Sequence, residues 1–267
     1  MNEKLERELI ERVKKDPYYL KYIDQTEIIC LEAVKKDGYA LYQVKNQTED
    51  ICLEAVRQNG NALMYVKNQT ERICLEAVRQ NPNSIIYVDH QTEAICLEAV
   101  KLNGNIIEHV ERQTEAICLE AVKQNASMIF YVKNQTERVC LEAVKQDGNN
   151  LKYILNKTER VCLEAVKQDG SALQYVNEQT NDIYREALKS NFDAAIEFIN
   201  VIERSTLKII LEAASSQKVK NKTVLNRIMI AFSEDEEIVD FYTKHDFWKY
   251  IDFNKLNNNL NKYSMII

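Results

Sequence analysis

Glycine and proline are scarce in this chain, five and two among 267 residues, so there is little material for long turns or linkers. An excess of basic charge is also missing. Lysine and arginine number 35 against 41 acidic residues, giving a formal charge of -6 and a pI near 5.4. That balance argues against a general nucleic-acid binder, which shows a basic patch or stripe, and leaves only a local patch open. No apolar run reaches the length of a membrane span, and the opening stretch MNEKLERELIERVKK lacks the apolar core of a signal peptide. No membrane association and a cytoplasmic location are therefore expected.

What the chain does have is a cysteine every 22 residues: Cys30, Cys52, Cys74, Cys96, Cys118, Cys140 and Cys162, which are all seven. Each sits in a near-identical stretch, Thr-Glu-x-(Ile/Val)-Cys-Leu-Glu-Ala-Val, first clear from Thr26 to Val34. A fixed period of this kind is the signature of a repeat array, in which neighbours stack into one elongated body without a central core. Equivalent residues on stacked helices lie about 8–10 Å apart, beyond the roughly 4.4–6.8 Å Cα spacing of a disulfide. The thiols therefore read as small apolar side chains in a reducing compartment. A metal ladder would need partners, and His90, His109 and His245 do not follow the cysteines. No metal and no cofactor are expected.

The copy from Gln47 to Asn68 shows the unit. Its first helix begins after Asn46, which with Glu49 reads as a capping box; Thr48 is the competing cap. Asn68, Asn134 and Asn156 repeat the arrangement, and His90 and Arg112 break it. At about 100° per residue, Ile51, Cys52, Leu53, Ala55 and Val56 cover an apolar arc wider than one buried face needs. The helix is thus expected to be covered on several sides by its neighbours. A second, short helix is capped by Asp37, Asn59, Asn81, Asn103, Asn125, Asp147 and Asp169 in turn. Gly60 invites a left-handed C-cap, but Pro82 holds the same place, and proline fits the first helical position. The second helix is therefore expected from about Gly60 to Lys67, with Ala62, Leu63 and Val66 inward and Met64 outward.

The expected fold is all-α, an α-solenoid of 22-residue two-helix repeats with divergent helical caps. Residues 1–24 form a degenerate first copy, 25–178 seven regular repeats, 179–214 degenerate repeats, and 215–267 a helical C-terminal cap. Tyr184 takes the cysteine position where the pattern fades.

The motif QTE-x-ICLEAV-(K/R)-Q-(N/D)-G-x-x-L-x-YV, running from Gln25 to about Val176, resembles a helical repeat domain of unknown function. That family is abundant in giant amoeba-infecting viruses and in Legionella-type bacteria. The resemblance implies a helical array of viral or intracellular-bacterial origin, in a host cytoplasm or a virion. It brings no catalytic residues.

Two periodic features face solvent on the helical wheel. Glu32, Glu54, Glu76, Glu98, Glu120, Glu142 and Glu164 are each followed three residues on by lysine or arginine. The expectation is a solvated (i, i+3) ion-pair ladder, with a charged face for a periodic partner as the alternative. The second feature is the outward residue of the second helix, which changes from copy to copy: Tyr42, Met64, Ile86, Glu108, Phe130, Lys152 and Gln174. Its inward neighbours, Leu41 to Leu173 and Val44 to Val176, barely change. A uniform core beneath a variable row can present a specific surface, and Tyr42, Met64 and Ile86 would form an apolar strip; drift on an unconstrained surface is the alternative.

No phosphate loop, nucleophile elbow or metal-spaced cluster appears, and a ladder of equivalent glutamates does not push pKa values apart as acid–base chemistry requires. His245 and Asp246 beside Trp248 read as a packed terminal cap. The expectation is a non-enzymatic scaffold binding a partner protein along the face of the second helices. Two other functions remain open: a structural or packing protein of a virion or viral factory, and a single-stranded RNA reader using Tyr65, Tyr87, Tyr131, Tyr153 and Tyr175.

Overall fold

Each cysteine-bearing stretch forms a ten-residue α-helix, and each following stretch forms a six-residue 3-10 helix. The computed structural model describes residues 3–199 and 204–216. The expected helices between 217 and 267, and the His245, Asp246 and Trp248 cluster, lie outside the described residues. Among the described residues there is no β-strand, and tandem helix pairs pack against their neighbours as an all-α solenoid.

The chain divides into two units, residues 1–142 and 143 onward. The first contains α1 (Glu3–Lys15), α2 (Glu27–Lys36), α3 (Glu49–Gln58), α4 (Glu71–Gln80), α5 (Glu93–Leu102) and α6 (Glu115–Gln124). Between them come the 3-10 helices η1 (Pro17–Tyr22), η2 (Gly38–Gln43), η3 (Gly60–Tyr65), η4 (Pro82–Tyr87), η5 (Gly104–His109) and η6 (Ala126–Tyr131). Helix α7 (Glu137–Gln146) carries the chain into the second unit. There follow η7 (Gly148–Tyr153), α8 (Glu159–Gln168), η8 (Gly170–Tyr175), α9 (Asn181–Ser190), α10 (Phe192–Ala195), η9 (Ile196–Phe198) and α11 (Arg204–Ser216). In the first unit α1 to α6 pack in succession, as do η1 to η6, so α-helices form one row and 3-10 helices the other.

The 3-10 geometry follows from the side-chain pattern. In a 3-10 helix residues i and i+3 eclipse. Gly60 and Leu63 therefore share one buried line, continued by the buried C-cap Val66, while Met64 stands exposed. Asn59 serves two helices at once. Its N–H donates to Ala55 O and ends α3, and its Oδ1 accepts from Asn61 N–H at 3.0 Å and starts η3. Gly60 is thus a first helical residue, as Pro82 is in η4, and no glycine needs a positive φ. Glycine is used at this place because the next repeat is close: a Cβ on Gly60 would lie 2.5 Å from Ala77 O.

The start of the first helix corrects the expected capping box. Thr48, not Asn46, is the N-cap, its Oγ1 accepting from Ile51 N–H at 3.4 Å. Glu49 does not reach back to Asn46. It points along the array, where its Oε1 accepts the hydroxyl proton of Thr70 at 3.4 Å. Thr48 donates likewise to Glu27 (2.8 Å), Thr92 to Glu71 (2.8 Å) and Thr114 to Glu93 (2.7 Å). One hydroxyl thus caps its own helix by accepting and joins the neighbouring repeat by donating.

The glutamine before that threonine fixes register between repeats. Gln47 Nε2 donates to Tyr65 O (2.9 Å) of the next 3-10 helix and to Leu41 O (3.4 Å) of the previous one. Its Oε1 accepts from Lys67 N–H at 2.9 Å. Gln69 repeats all three contacts, and Gln91 and Gln113 do the same with residues 109 and 131 as the forward partners. In the second unit Lys157 stands in the glutamine's place, and its Nζ donates to Tyr175 O at 2.8 Å.

Candidate interaction surface

The variable row emerges from this frame. Leu41, Leu63, Ile85, Ile107 and Ile129 are fully buried in the first unit. One residue later, Tyr42 (67% exposed), Met64 (47%), Ile86 (53%) and Phe130 (62%) project to solvent, with Glu108 exposed between the last two. In the second unit Lys152 and Gln174 are exposed beside fully buried Leu151 and Leu173. Burial of the flanking residue and of Val44, Val66 or Val110 two positions later sets the direction of each outer side chain.

Beside this row runs a half-buried one, Tyr65, Tyr87 and Tyr131 in the first unit, with Tyr153 and Tyr175 in the second. The outer side chains lean on it. Tyr42 and Tyr65 have ring centroids 5.3 Å apart, and Phe130 meets Tyr131 edge-on at 5.1 Å. In the second unit Lys152 Nζ lies 4.7 Å from the Tyr153 ring centroid, and its hydrogen bond to that residue raises the lysine pKa. The tyrosine backbone carbonyls are occupied by the glutamine side chains, and Tyr175 O by Lys157.

The α-helical face carries the glutamates, partly covered rather than free-standing, and their pairing differs from the expected ladder. Lys35 does bridge to Glu32 at 3.0 Å within its own helix. Arg57 and Arg79 instead reach to the next repeat, to Glu76 at 3.2 Å and Glu98 at 2.7 Å. Both arginines make the contact through Nε, and the pair ties repeats together instead of only decorating one helix.

Reactive chemistry is not favoured at the cysteines. All seven are buried and free of disulfides. Burial, the largest cause in every case, pushes the thiols of Cys30, Cys52, Cys74, Cys96, Cys118 and Cys140 up to about 11, and raises Cys162 as well. Cys74 borders a cavity of about 240 Å³ between α4 and α5, with Lys67, Glu71, Asp89, His90 and Thr92 on its walls. Asp89 and Glu71 raise that thiol further, the opposite of what a nucleophilic thiolate needs. Among the described residues no three His, Cys, Asp or Glu side chains are grouped to hold a metal ion, and no helix is long and apolar enough to cross a membrane.

Sequence reasoning found the row but not the joints. The glutamine and threonine of Gln-Thr-Glu recur almost unchanged in a connecting segment, where the preceding Lys45, Lys67, Asp89, Glu111 and Lys133 vary freely. That contrast was the available signal of an inter-repeat role.

No curated protein and no solved structure matches the chain. A family model does match, over residues 27–71, 48–93, 92–137 and 136–180, each stretch about two of the 22-residue units long. The matched stretches together run from residue 27 to residue 180, more than half of the chain, which therefore belongs to the family described as a domain of unknown function, DUF4116.

Proposed function

We propose that the chain is a non-enzymatic scaffold that binds a protein partner along the outer face of its 3-10 helices. The observation carrying this is a change of character between adjacent residues: buried and uniform at Leu41, Leu63 and Ile85, exposed and diverse at Tyr42, Met64 and Ile86. Those three consecutive apolar side chains offer a strip that water solvates poorly, the kind of surface that becomes an interface. The glutamine staples hold successive 3-10 helices in register, so that the outer row is presented in a fixed order.

A protein partner is favoured over single-stranded RNA. The tyrosines that would stack bases are half-buried and their outer neighbours already lean on them, and the face lacks a basic stripe to follow a phosphate backbone. Seven reduced, buried thiols support a reducing compartment such as a host cytoplasm, or a virion assembled there. The test is partner binding by the full chain with Tyr42, Met64 and Ile86 changed together to Ser. Selective loss in a folded protein supports the proposal. Retention favours a structural role without a discrete ligand at this face.

A further inference from the structure

The first two 3-10 helices carry a tyrosine, Tyr18 or Tyr39, two residues after the cap, where η3 to η8 carry asparagine or serine. In η3 to η6 the cap is Asn59, Asn81, Asn103 or Asn125, and the residue two later is Asn61, Asn83, Asn105 or Ser127. Each cap Oδ1 accepts that residue's N–H at 3.0–3.1 Å. In η2 the cap is Asp37 and the second residue Tyr39, with the same hydrogen bond at 3.0 Å. Asparagine caps η3 to η6 and aspartate caps η7 and η8 through the same bond, so the turn takes either group, and the aromatic ring after the cap is not needed for it.

Those extra groups gather in one place. Tyr18 of η1 donates its hydroxyl to Asp37 Oδ2 at 2.9 Å. The Tyr39 ring meets Tyr65 edge-on at 5.9 Å, and Tyr42 lies 5.3 Å from Tyr65 on another side. The Tyr18 hydroxyl is held protonated above its ordinary range, first by the hydrogen bond to Asp37, then by burial, then by Asp37, Tyr65 and Tyr39, all acting in the same direction. The patch is therefore aromatic and electronegative. Among the described residues Asp37 forms no ion pair, and no cation lies over the Tyr39, Tyr42 or Tyr65 ring. Cations do sit on the tyrosines immediately before it: Arg12 over Tyr19 at 5.5 Å and Lys21 over Tyr22 at 5.6 Å.

We propose that Tyr18, Tyr39, Tyr42 and Tyr65, together with Asp37, form the docking site for an arginine side chain of the protein partner, an inference that rests on the function proposed above. A guanidinium matches both halves of the site. Its flat face stacks on a tyrosine ring, and its fork of N–H donors takes the carboxylate lone pairs that the Tyr18 hydroxyl and Tyr39 N–H leave open. The site is at the Tyr42 end of the apolar strip. A partner segment would thus place an arginine against η1 and η2 and apolar residues over Met64 and Ile86.

The experiment is an NMR titration of the ¹⁵N-labelled full chain with a blocked Gly-Arg-Gly peptide, and with the same peptide carrying citrulline, which keeps the shape and removes the charge. The expected result is saturable movement of the Tyr39 amide, which donates to Asp37, with the arginine peptide only. Asp37→Asn keeps the cap and should weaken the apparent Kd about tenfold, as expected for losing a charge-assisted hydrogen bond. Tyr42→Ala removes a ring that is 67% exposed, so folding is unaffected, and should weaken it too. Equal response to citrulline, no saturable response, or an unchanged Kd in both variants overturns the site. If the peptide fails while Met64→Ser/Ile86→Ser still abolishes partner binding, the arginine site falls and the binding face stands. If partner binding survives every change in the row, the face itself falls.

Discussion

Gly38 donates its N–H to Gln58 Oε1, twenty residues on, at 2.7 Å, and this bond recurs from Gly60 to Gln80, Gly104 to Gln124 and Gly148 to Gln168. Where the donor is missing, so is the acceptor. Pro82 has no N–H, and the residue twenty on is Leu102, not glutamine. Pro17 has none either, and Lys36 holds the corresponding place at the end of α2. At these two junctions donor and acceptor are absent together, so that no N–H is left facing a missing glutamine; at Gly170 the N–H remains and Ser190 stands twenty residues on.

That coupling predicts a double-mutant cycle. Pro82→Gly restores a donor with no acceptor and enlarges the unfolded ensemble, so it should destabilise. Leu102→Gln alone should be nearly neutral, since Leu102 is 52% exposed. Together they should recover about 1 kcal/mol relative to the sum of the single changes, measured by denaturant unfolding. Strict additivity would show that the pair is not linked.

Thr48→Val should cost about 1 kcal/mol through loss of the cap and of its link to Glu27, while Asn46→Ala should cost close to nothing. The reverse ranking in thermal melts would restore Asn46 as the cap. In the second helix, Asn81→Ala should cost about 1 kcal/mol, because Asn81 both accepts from Asn83 N–H and donates to Asn61 Oδ1.

Gln47→Glu tests the inter-repeat staple through pH. A carboxylate cannot donate to Leu41 O and Tyr65 O, so the folded state should favour the protonated acid and raise its pKa. The folded state then binds the extra proton, and stability rises as pH falls through that raised value. The variant should be weaker than wild type at pH 7 and recover toward pH 5 in chemical denaturation. A deficit that does not change with pH would mean that the Nε2 bonds matter little.

The buried thiols make a second pH prediction. Their folded pKa, near 11 for six of them, lies above the ordinary value of 9.0. The stabilising contribution is present below 9 and is lost as pH rises from there toward 11. At neutral pH a thiol titration should find essentially no fast-reacting groups in the native chain and all seven after unfolding. Several fast groups in the native protein would contradict that burial.

How much of this was legible in the sequence depended on whether a residue type could serve one role only. Pro82 can occupy very few backbone positions, so it placed the start of every second helix, and with it the inward Leu63 and outward Met64. Asn46 and Thr48 can both cap a helix, and choosing between them needs the backbone direction. Arg57 and Lys35 are both cations three residues after a glutamate, yet one reaches forward and the other back, because the distance to the neighbouring repeat is a tertiary quantity. With Asn46 read as the cap, Gln47 fell at the start of the first helix, and its role as a joint stayed hidden because Tyr65 and Lys67, two of its three partners, are remote in sequence. The patch at Tyr18 and Asp37 stayed hidden for the same reason: the two are nineteen residues apart and meet only when η1 and η2 pack.

The most direct test of the binding face compares two triple variants of the full chain against the same recovered protein partner. One changes Tyr42, Met64 and Ile86 to Ser; the other changes Glu54, Glu76 and Glu98 to Gln, on the α-helical face, where exposed pairs contribute little to stability. With both shown to be folded by circular dichroism, the apolar set should weaken binding at least about tenfold, as interface anchors do, and the glutamate set should leave it unchanged. Loss with the glutamate set alone would move the working surface to the α-helical face, and no loss with either would contradict binding along the 3-10 row.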